Sequence, residues 1–324
     1  MEELKSPFIE KIYEKNESNF LKFGCCSMQG WRARMEDSYI NEINKGEKNQ
    51  YNIFGIFDGH RGKETAIFVK NHFIEELIKN ENFKKENIEL SLKETFFKMD
   101  ELMLLTKGKK ELIKLHSQSL KDDAKLKEKN VFNILPIQPL THYNSGCTAC
   151  VCVIDSIKKK IYFANIGDSR GILIKNNIAK KITIDHNPSN KNENNRIINA
   201  GGKIIDNRII FNNGVISVSR SLGDLDFKRN KSLSKENQII TANPDIFVED
   251  LEKGDFVILC CDGVWECFDN EQMIYDFIFA KLNKNNCEDI DKVIGDMFDT
   301  IIGKNNQLTF SGFDNMSCIV IKIK

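Results

Sequence analysis

Five acidic residues of this chain lie in short motifs that are flanked by apolar residues. They are Glu36, Asp37, Asp58, Asp262 and Asp314. Asp58 and Asp262 each follow an apolar run that predicts a buried strand, and Asp314 precedes another such run. A carboxylate at the end of a buried strand costs free energy unless it is paired or binds a metal. If the fold brings these ends together, they form an all-oxygen site that suits Mg²⁺ or Mn²⁺.

The length and composition predict a globular protein with a sizeable core. The 324 residues could form one large domain or two smaller ones, and 41% of them are hydrophobic. The net charge of zero favours neither nucleic acid nor an anionic membrane as a partner. No apolar run approaches the ~18 residues that a membrane span requires. The N-terminus also lacks the pattern of a secretory signal, so we expect a cytoplasmic or nuclear protein without membrane insertion.

The ten cysteines predict reduced thiols rather than disulfides. Half of them lie inside apolar strand-like runs, where cysteine behaves as a small hydrophobic residue: Cys150, Cys152, Cys260, Cys261 and Cys318. Cys147 and Cys150 have the spacing of half a zinc site, but no second cysteine or histidine pair completes it. Reduced strand cysteines agree with a cytosolic or nuclear location.

The two least patterned segments are interpreted as additions to the main domain. Residues 1–19 are polar and weakly patterned, which indicates an N-terminal extension. Residues 106–130 are rich in lysine and contain no aromatic residue, which indicates an insertion or a solvated helix and loop. Both segments are expected to lie outside the core.

The remaining pattern predicts an α+β fold. Apolar residues at helical spacing predict helices over residues 63–80, 87–105, 188–200, 271–282 and 289–302. Strand-like runs lie in the first quarter, the middle and the end of the chain. The links between the runs in residues 148–174 are short, and such links require antiparallel neighbours. We therefore expect helices on the outer faces of antiparallel sheets.

Eight short motifs that contain acidic, glycine, serine or arginine residues follow one another along the chain. They are Gly30–Asp37, Phe57–His60, Ser145–Ala149, Gly167–Arg170, Arg196–Gly202, Val218–Asp224, Cys261–Trp265 and Asp314–Ser317. A single motif of this length is weak evidence, whereas eight in one order are specific. In this order they resemble the type 2C family of metal-dependent serine/threonine protein phosphatases. The resemblance covers residues 20–324.

The resemblance implies a site for two Mn²⁺ or Mg²⁺ ions. In the family these ions share a bridging water or hydroxide, which attacks phosphorus in line. Asp58 matches the carboxylate that bridges both ions, and Asp262 and Asp314 match ligands of the first ion. Glu36 matches a carboxylate that serves the second ion, together with the backbone carbonyl of Gly59.

The resemblance also implies roles for residues around the two ions. Asp37 matches an acid that orients metal-bound waters, although for this residue alone a helix cap or a surface ion pair is the favoured interpretation. Arg32 matches the arginine that holds the substrate phosphate, a task that suits its planar fork of donors. His60 matches the general acid. A lone histidine is more often structural, but the position of His60 directly after Asp58 and Gly59 favours the catalytic role here.

A third, weaker metal site is implied at Asp168, although a turn aspartate that caps its hairpin competes with this interpretation. The family usually has a second aspartate for that site, where this chain has Glu266. The longer side chain leaves two outcomes open, because it could reach the ion or weaken its binding.

Together these observations predict one phosphatase domain over residues 20–324. By resemblance it is a sandwich of two antiparallel sheets, flanked by helices on both outer faces. We expect a monomeric, Mn²⁺- or Mg²⁺-dependent enzyme that hydrolyses phosphoserine and phosphothreonine in proteins. Two alternatives remain at this point. One is an inactive relative that binds phosphoproteins as a scaffold, and the other is a metal-dependent phosphoesterase that acts on small molecules or nucleic acid.

Overall fold

The structure is a computed structural model that describes residues 6–128, 145–212, 214–284, 289–303 and 311–324. The strands of these residues are, in chain order, β1 (Phe8–Glu17), β2 (Leu21–Gly30), β3 (Ser38–Lys45), β4 (Tyr51–Phe57), β5 (Gly59–His60), β6 (Gly146–Cys147), β7 (Ala149–Asp155), β8 (Lys160–Ile166), β9 (Arg170–Lys175), β10 (Ile178–Lys181), β11 (Lys203–Ile205), β12 (Arg208–Phe211), β13 (Gly214–Ile216), β14 (Leu222–Gly223), β15 (Asp245–Asp250), β16 (Phe256–Cys260) and β17 (Met316–Ile323). The helices are α1 (Glu64–Lys79), α2 (Glu81–Lys84), α3 (Ile88–Leu104), α4 (Thr106–Glu128), α5 (Lys191–Asn199), α6 (Asp262–Trp265), α7 (Glu271–Lys284) and α8 (Ile290–Ile301).

Most strands belong to two antiparallel sheets that pack face to face. One sheet has the strand order β1-β2-β17-β16-β9-β10, and the other has the order β15-β8-β7-β4-β3. Helices α1 and α3 cover the outer face of the second sheet, with α4 packed on both helices. Helices α7 and α8 cover the first sheet. This architecture confirms the predicted sandwich with helices on both outer faces.

Strand β4, which lies between β7 and β3, is apolar at nearly every position because both of its faces are buried. Phe54 points between the sheets, where its ring meets Phe23 of β2 at 5.0 Å in an edge-to-face contact. Phe57 points the other way and packs against Phe73 of α1, with ring centroids 6.0 Å apart. The strand is therefore held by two separate cores, and its end has a fixed position.

The interpretation of residues 1–19 as an extension is wrong for the part that the structure describes. Residues 8–17 form β1, which pairs with β2 along its length and forms an edge of the first sheet. Tyr13 packs so closely on α8 that a Cβ atom at Gly295 would lie 2.5 Å from its hydroxyl oxygen. An edge strand with one face in solvent needs few apolar residues, so its sequence resembles a polar tail.

The lysine-rich segment forms α4, and the expectation that it lies outside the core is also wrong. Leu112 is only 2% exposed and belongs to the cluster that α1 and α3 bury. Two polar pairs fasten α4 to the start of α1: His116 Nδ1 lies 3.1 Å from Glu64 Oε1, and Lys63 donates to Asp122 over 2.9 Å. Residues 129 and 130 of the predicted insertion lie outside the described residues.

The predicted helices agree with the structure to within three residues at their starts. The largest difference is at α5, which begins at Lys191 rather than at Pro188. The Asn190 side chain accepts a hydrogen bond of 3.0 Å from the Asn192 N–H and so caps this helix. Among the described helices, none has the length and apolar character that crossing a bilayer would require.

Candidate active site

Strand pairing brings the acidic motifs to one end of the sandwich. In the second sheet Ser38 pairs with Phe57, so Asp37 and Asp58 flank the same end of the β3–β4 pair. In the first sheet Cys260 pairs with both Cys318 and Arg170. The ends that carry Asp262, Asp314 and Asp168 are therefore also neighbours. Antiparallel pairing thus gathers residues that lie far apart in sequence.

The carboxylates are close enough to shift one another's pKa. Burial raises the pKa of Asp58 well above its ordinary value, and the charges of Asp262, Asp37, Asp314 and Asp168 raise it further. Burial, together with Asp314 and Glu266, raises the pKa of Asp262 to about 6. Such a cluster of like charges favours protons or bound cations.

Asp37 lies inside this cluster rather than on the surface. Burial and the charges of Asp314 and Asp262 raise its pKa to about 7. Its Oδ2 atom is buried and has no hydrogen-bond partner among the described residues. A carboxylate oxygen of Asp37, one of Asp58 and the Cys261 sulfur lie within 4.8 Å of one another. A buried, unpartnered oxygen in an acidic cluster fits a role toward a divalent cation, which prefers oxygen ligands.

Glu36 and Gly59 adjoin each other at the edge of this cluster. A Cβ atom at Gly59 would lie 2.3 Å from the Glu36 carbonyl oxygen, so only glycine fits there. Burial raises the pKa of the Glu36 carboxyl, although the Gly62 N–H and the Arg34 charge oppose the shift. The structure thus brings together the two residues that the resemblance assigns to the second ion.

Asn315 fixes the loop that carries Glu36, and sequence reasoning gave it no role. Its Oδ1 accepts a hydrogen bond of 2.9 Å from the Glu36 N–H. Its Nδ2 donates to the backbone oxygens of Gln29 and Arg34 over 2.7 and 3.0 Å. Asn315 therefore ties this loop to the segment that holds Asp314.

Arg32 lies at the mouth of the acidic cluster. Its Nη2 donates to Asp314 Oδ2, while 59% of the Arg32 side chain remains exposed. Burial opposes its charge, but Asp314, Asp262 and Asp58 outweigh that effect and raise the pKa of Arg32. The guanidinium is thus a permanent cation with donors accessible at the site.

His60 is paired with a buried carboxylate that sequence reasoning did not single out. Its Nε2 lies 2.7 Å from Oδ2 of Asp224, the last residue of the Val218–Asp224 motif. Although burial alone would raise it, the neighbouring His60 and Arg61 and a hydrogen bond from Ser221 lower the pKa of Asp224 to about 2. The signal in the sequence that could have identified Asp224 is its position as the acidic residue of the Val218–Asp224 motif, one of the eight motifs of the resemblance.

Asp168 and Glu266 both lie on the Asp262 side of the cluster. Burial raises the pKa of Asp168 well above its ordinary value, and the charges of Asp262, Asp185 and Glu266 add to the shift. Burial also raises the pKa of Glu266, with a further contribution from Asp314. Glu266 is thus near enough to Asp168 to interact with it, and their joint role toward a third ion stays a prediction.

Comparison with known proteins agrees with this geometry. The family model described as protein phosphatase 2C matches residues 21–307. The chain is 37% identical over 322 residues to "Probable protein phosphatase 2C 6" of Paramecium tetraurelia, which covers 99% of each chain. It is 35% identical to "Probable protein phosphatase 2C 21" of Arabidopsis thaliana, over 99% of this chain and 92% of the relative. The chain belongs to the protein phosphatase 2C family.

Solved structures support the same family at the level of the fold. A phosphatase from Toxoplasma gondii superposes with a TM-score of 0.71 at 21% identity, covering 97% of this chain and 96% of that one. A second Toxoplasma gondii structure, described as a serine-threonine phosphatase 2C, gives 0.68 at 17% identity, covering 97% and 99%. As a protein phosphatase 2C, the chain is a hydrolase of a family that depends on metal ions in general.

Proposed function

We propose that this protein phosphatase 2C hydrolyses phosphoserine and phosphothreonine in proteins with the help of Mn²⁺ or Mg²⁺. The observation that carries the proposal is the cluster of Asp58, Asp262 and Asp37, whose raised pKa values reflect buried, mutually repelling carboxylates. Arg32 donates to Asp314 of the same site, and His60 follows Asp58 by two residues. All the principal carboxylates are present, which favours catalysis over a phosphoprotein-binding scaffold.

Asp58, Asp262, Asp314 and Glu36, with the carbonyl oxygen of Gly59, are the groups that would hold two ions. Their oxygen atoms suit Mn²⁺ and Mg²⁺ better than softer metals. Bound there, the ions would supply a nucleophilic water at neutral pH and neutralise charge on the phosphoryl oxygens.

Arg32 and His60 would act on different oxygen atoms of the substrate. The exposed guanidinium of Arg32 can direct two parallel N–H donors at two phosphoryl oxygens. His60 would donate a proton to the serine or threonine oxygen, which would otherwise leave as a strongly basic alkoxide. Binding by Arg32 and protonation by His60 thus serve the same bond cleavage.

The test is phosphate release from a phosphothreonine peptide after chelation, with and without added Mn²⁺. We expect no activity in the chelated protein and recovery on addition of Mn²⁺. The Asp58→Ala variant should remain inactive, yet its metal-free form should be at least as stable as the wild type, since it loses charge repulsion. Glu47→Ala, in the turn at the far end of β3, is the matched control with normal activity. Half of the wild-type rate in Asp58→Ala at saturating Mn²⁺ would contradict the assignment.

A further inference from the structure

The contact between His60 and Asp224 is the starting point for an inference that rests on the proposed function. The Asp224 side chain is fully buried, whereas 24% of the His60 side chain is exposed. The 2.7 Å contact uses the Nε2 atom of the ring. One edge of the imidazole thus faces a buried carboxylate, and another part of the side chain is open to solvent.

Asp224 is itself held rigidly. The Ser221 hydroxyl donates to its Oδ2 over 2.5 Å, and the Arg61 guanidinium pairs with its Oδ1. Its backbone N–H donates to the Ser145 carbonyl oxygen over 3.1 Å. Since both carboxylate oxygens are engaged, the Asp224 side chain has little freedom to rotate away from His60.

The contact between His60 and Asp224 depends on the absence of a side chain at Gly146. A Cβ atom at Gly146 would lie 2.2 Å from Asp224 Oδ2 and 2.5 Å from His60 Nε2. Such distances are far shorter than any van der Waals contact, so a larger residue would separate the imidazole from the carboxylate. Strand β6, which contains Gly146, lies between two other strands. One is β5, which contains His60, and the other is β14, which ends directly before Asp224. This pairing aligns the His60 and Asp224 side chains.

We propose that Asp224 is a positioning residue that holds His60 by its Nε2 atom and thereby makes Nδ1 the nitrogen that protonates the leaving group. Nδ1 of His60 has no hydrogen-bond partner within the described part of the chain. A buried carboxylate that accepts from one ring nitrogen fixes both the orientation of the ring and the location of its protons.

In the proposed step the O–P bond of the phosphoserine or phosphothreonine breaks, and its electron pair stays on the side-chain oxygen. That oxygen takes the proton from Nδ1 of His60, while a water oxygen forms the new bond to phosphorus and gives one of its two protons to solvent. The products are the free hydroxyl and inorganic phosphate. The Nε2 proton remains hydrogen-bonded to Asp224 throughout, and solvent restores the proton on Nδ1.

The kinetic test compares two leaving groups. A serine or threonine alkoxide needs a proton, whereas nitrophenolate is stable without one. Asp224→Asn should therefore slow hydrolysis of a phosphothreonine peptide roughly tenfold or more beyond any effect on nitrophenyl phosphate. The ~10²–10⁴-fold that general acid catalysis supplies is the upper limit of this contrast. His60→Gln should show the same contrast, and the double variant should be no slower than His60→Gln alone.

The matched control is Asp100→Asn. Asp100 is another buried carboxylate that holds the same loop, since it accepts from the Gly223 N–H over 2.9 Å and from Lys228 over 2.6 Å. Within the described part of the chain Asp100 makes no hydrogen bond or ion pair with His60, so any loss should be equal for both substrates. Equal slowing of both substrates by Asp224→Asn would overturn the proposal and leave Asp224 a structural residue.

A second readout needs neither metal nor turnover. With ¹⁵N-labelled histidine, the His60 ring signals can be identified by their loss in His60→Gln, because the chain has only five histidines. In the metal-free protein we expect the Nε2 proton of His60 to resonate far downfield and to lose that shift in Asp224→Asn. An unchanged spectrum would also overturn the proposal. Nitrophenyl phosphate hydrolysis by the wild type tests the proposed function separately.

Discussion

At the scale of single residues, Glu266 offers a direct test of the third metal site. It stands where the resemblance leads us to expect aspartate, and it interacts with Asp168 across the site. If both residues serve a third ion, Glu266→Asp should change the Mn²⁺ concentration that gives half of the maximal rate. Asp168→Ala in the same background should remove that change. Mn²⁺ titrations of the wild type and both variants provide the measurement, and identical curves would leave Asp168 a turn residue.

Individual residues also show what a single sequence can predict about the site. The acidic motifs identified Asp58 and Asp262 because each ends an apolar run, a local signal. Asp224 and Asn315 act through contacts with His60 and Glu36, which lie 164 and 279 positions away. Nothing local marks such pairs, so their roles became visible only when strand pairing placed the partners side by side.

At the scale of elements, the sequence predicted well those helices that have a regular apolar face. It predicted poorly those elements that contact the core partly through polar residues. The helices α1 and α3 have continuous apolar faces and were predicted nearly to the residue. The buried face of α4 combines Leu112 with His116 and Ser119, so hydrophobic periodicity gave little indication that the helix is docked. The same reasoning explains why β1 was not recognised as a strand, since its exposed face carries polar residues and leaves few apolar ones in the sequence.

The docking of α4 predicts a contrast between two adjacent aliphatic residues. Leu112 is 2% exposed and Ile113 is 47% exposed. Leu112→Ala should lower the free energy of unfolding by about 2–5 kcal/mol, because it removes buried contacts and leaves a cavity. Ile113→Ala should change it by about 0.5 kcal/mol or less. Guanidinium unfolding of the metal-free proteins measures both values, and equal effects would contradict the packing of α4.

At the scale of the whole molecule, the sandwich was predicted from the resemblance rather than from local links. The short link between β7 and β8 does join an antiparallel pair, but β8 and β9, also joined by a short link, lie in different sheets, and β2 pairs with the distant β17. Paired strands bring their flanking residues to a common edge. The sandwich then places the acidic ends of both sheets together. The same arrangement concentrates negative charge at one end of a molecule whose net charge is zero.

That concentration predicts how the stability of the metal-free protein depends on pH. The ordinary pKa of Asp37 and Asp262 is 3.8, and in the fold it is raised to about 7 and about 6. Between the ordinary and the raised pKa values the folded state binds more protons than the unfolded chain. The free energy of unfolding therefore falls as pH rises from about 4 to about 7. Glu193 and Asp245, with pKa values lowered to about 2, act oppositely, and their contribution is lost as pH falls from about 4 to 2. Stability in a chelator should therefore be greatest near pH 4–5.

Saturating Mn²⁺ should reverse the decline in stability that the metal-free protein shows above about pH 5. The ion binds the ionised carboxylates of the folded state, so its stabilisation grows as protons leave the site. Melting temperatures measured from pH 4 to pH 8 in chelator should therefore fall, while those in Mn²⁺ should hold or rise. Asp37→Asn should flatten the decline in chelator, because it removes one carboxylate with a raised pKa, and Glu47→Gln should leave it unchanged. Parallel profiles with and without Mn²⁺ would show that the carboxylates do not form the metal site, because an ion bound at these groups would offset their mutual repulsion as their protons leave.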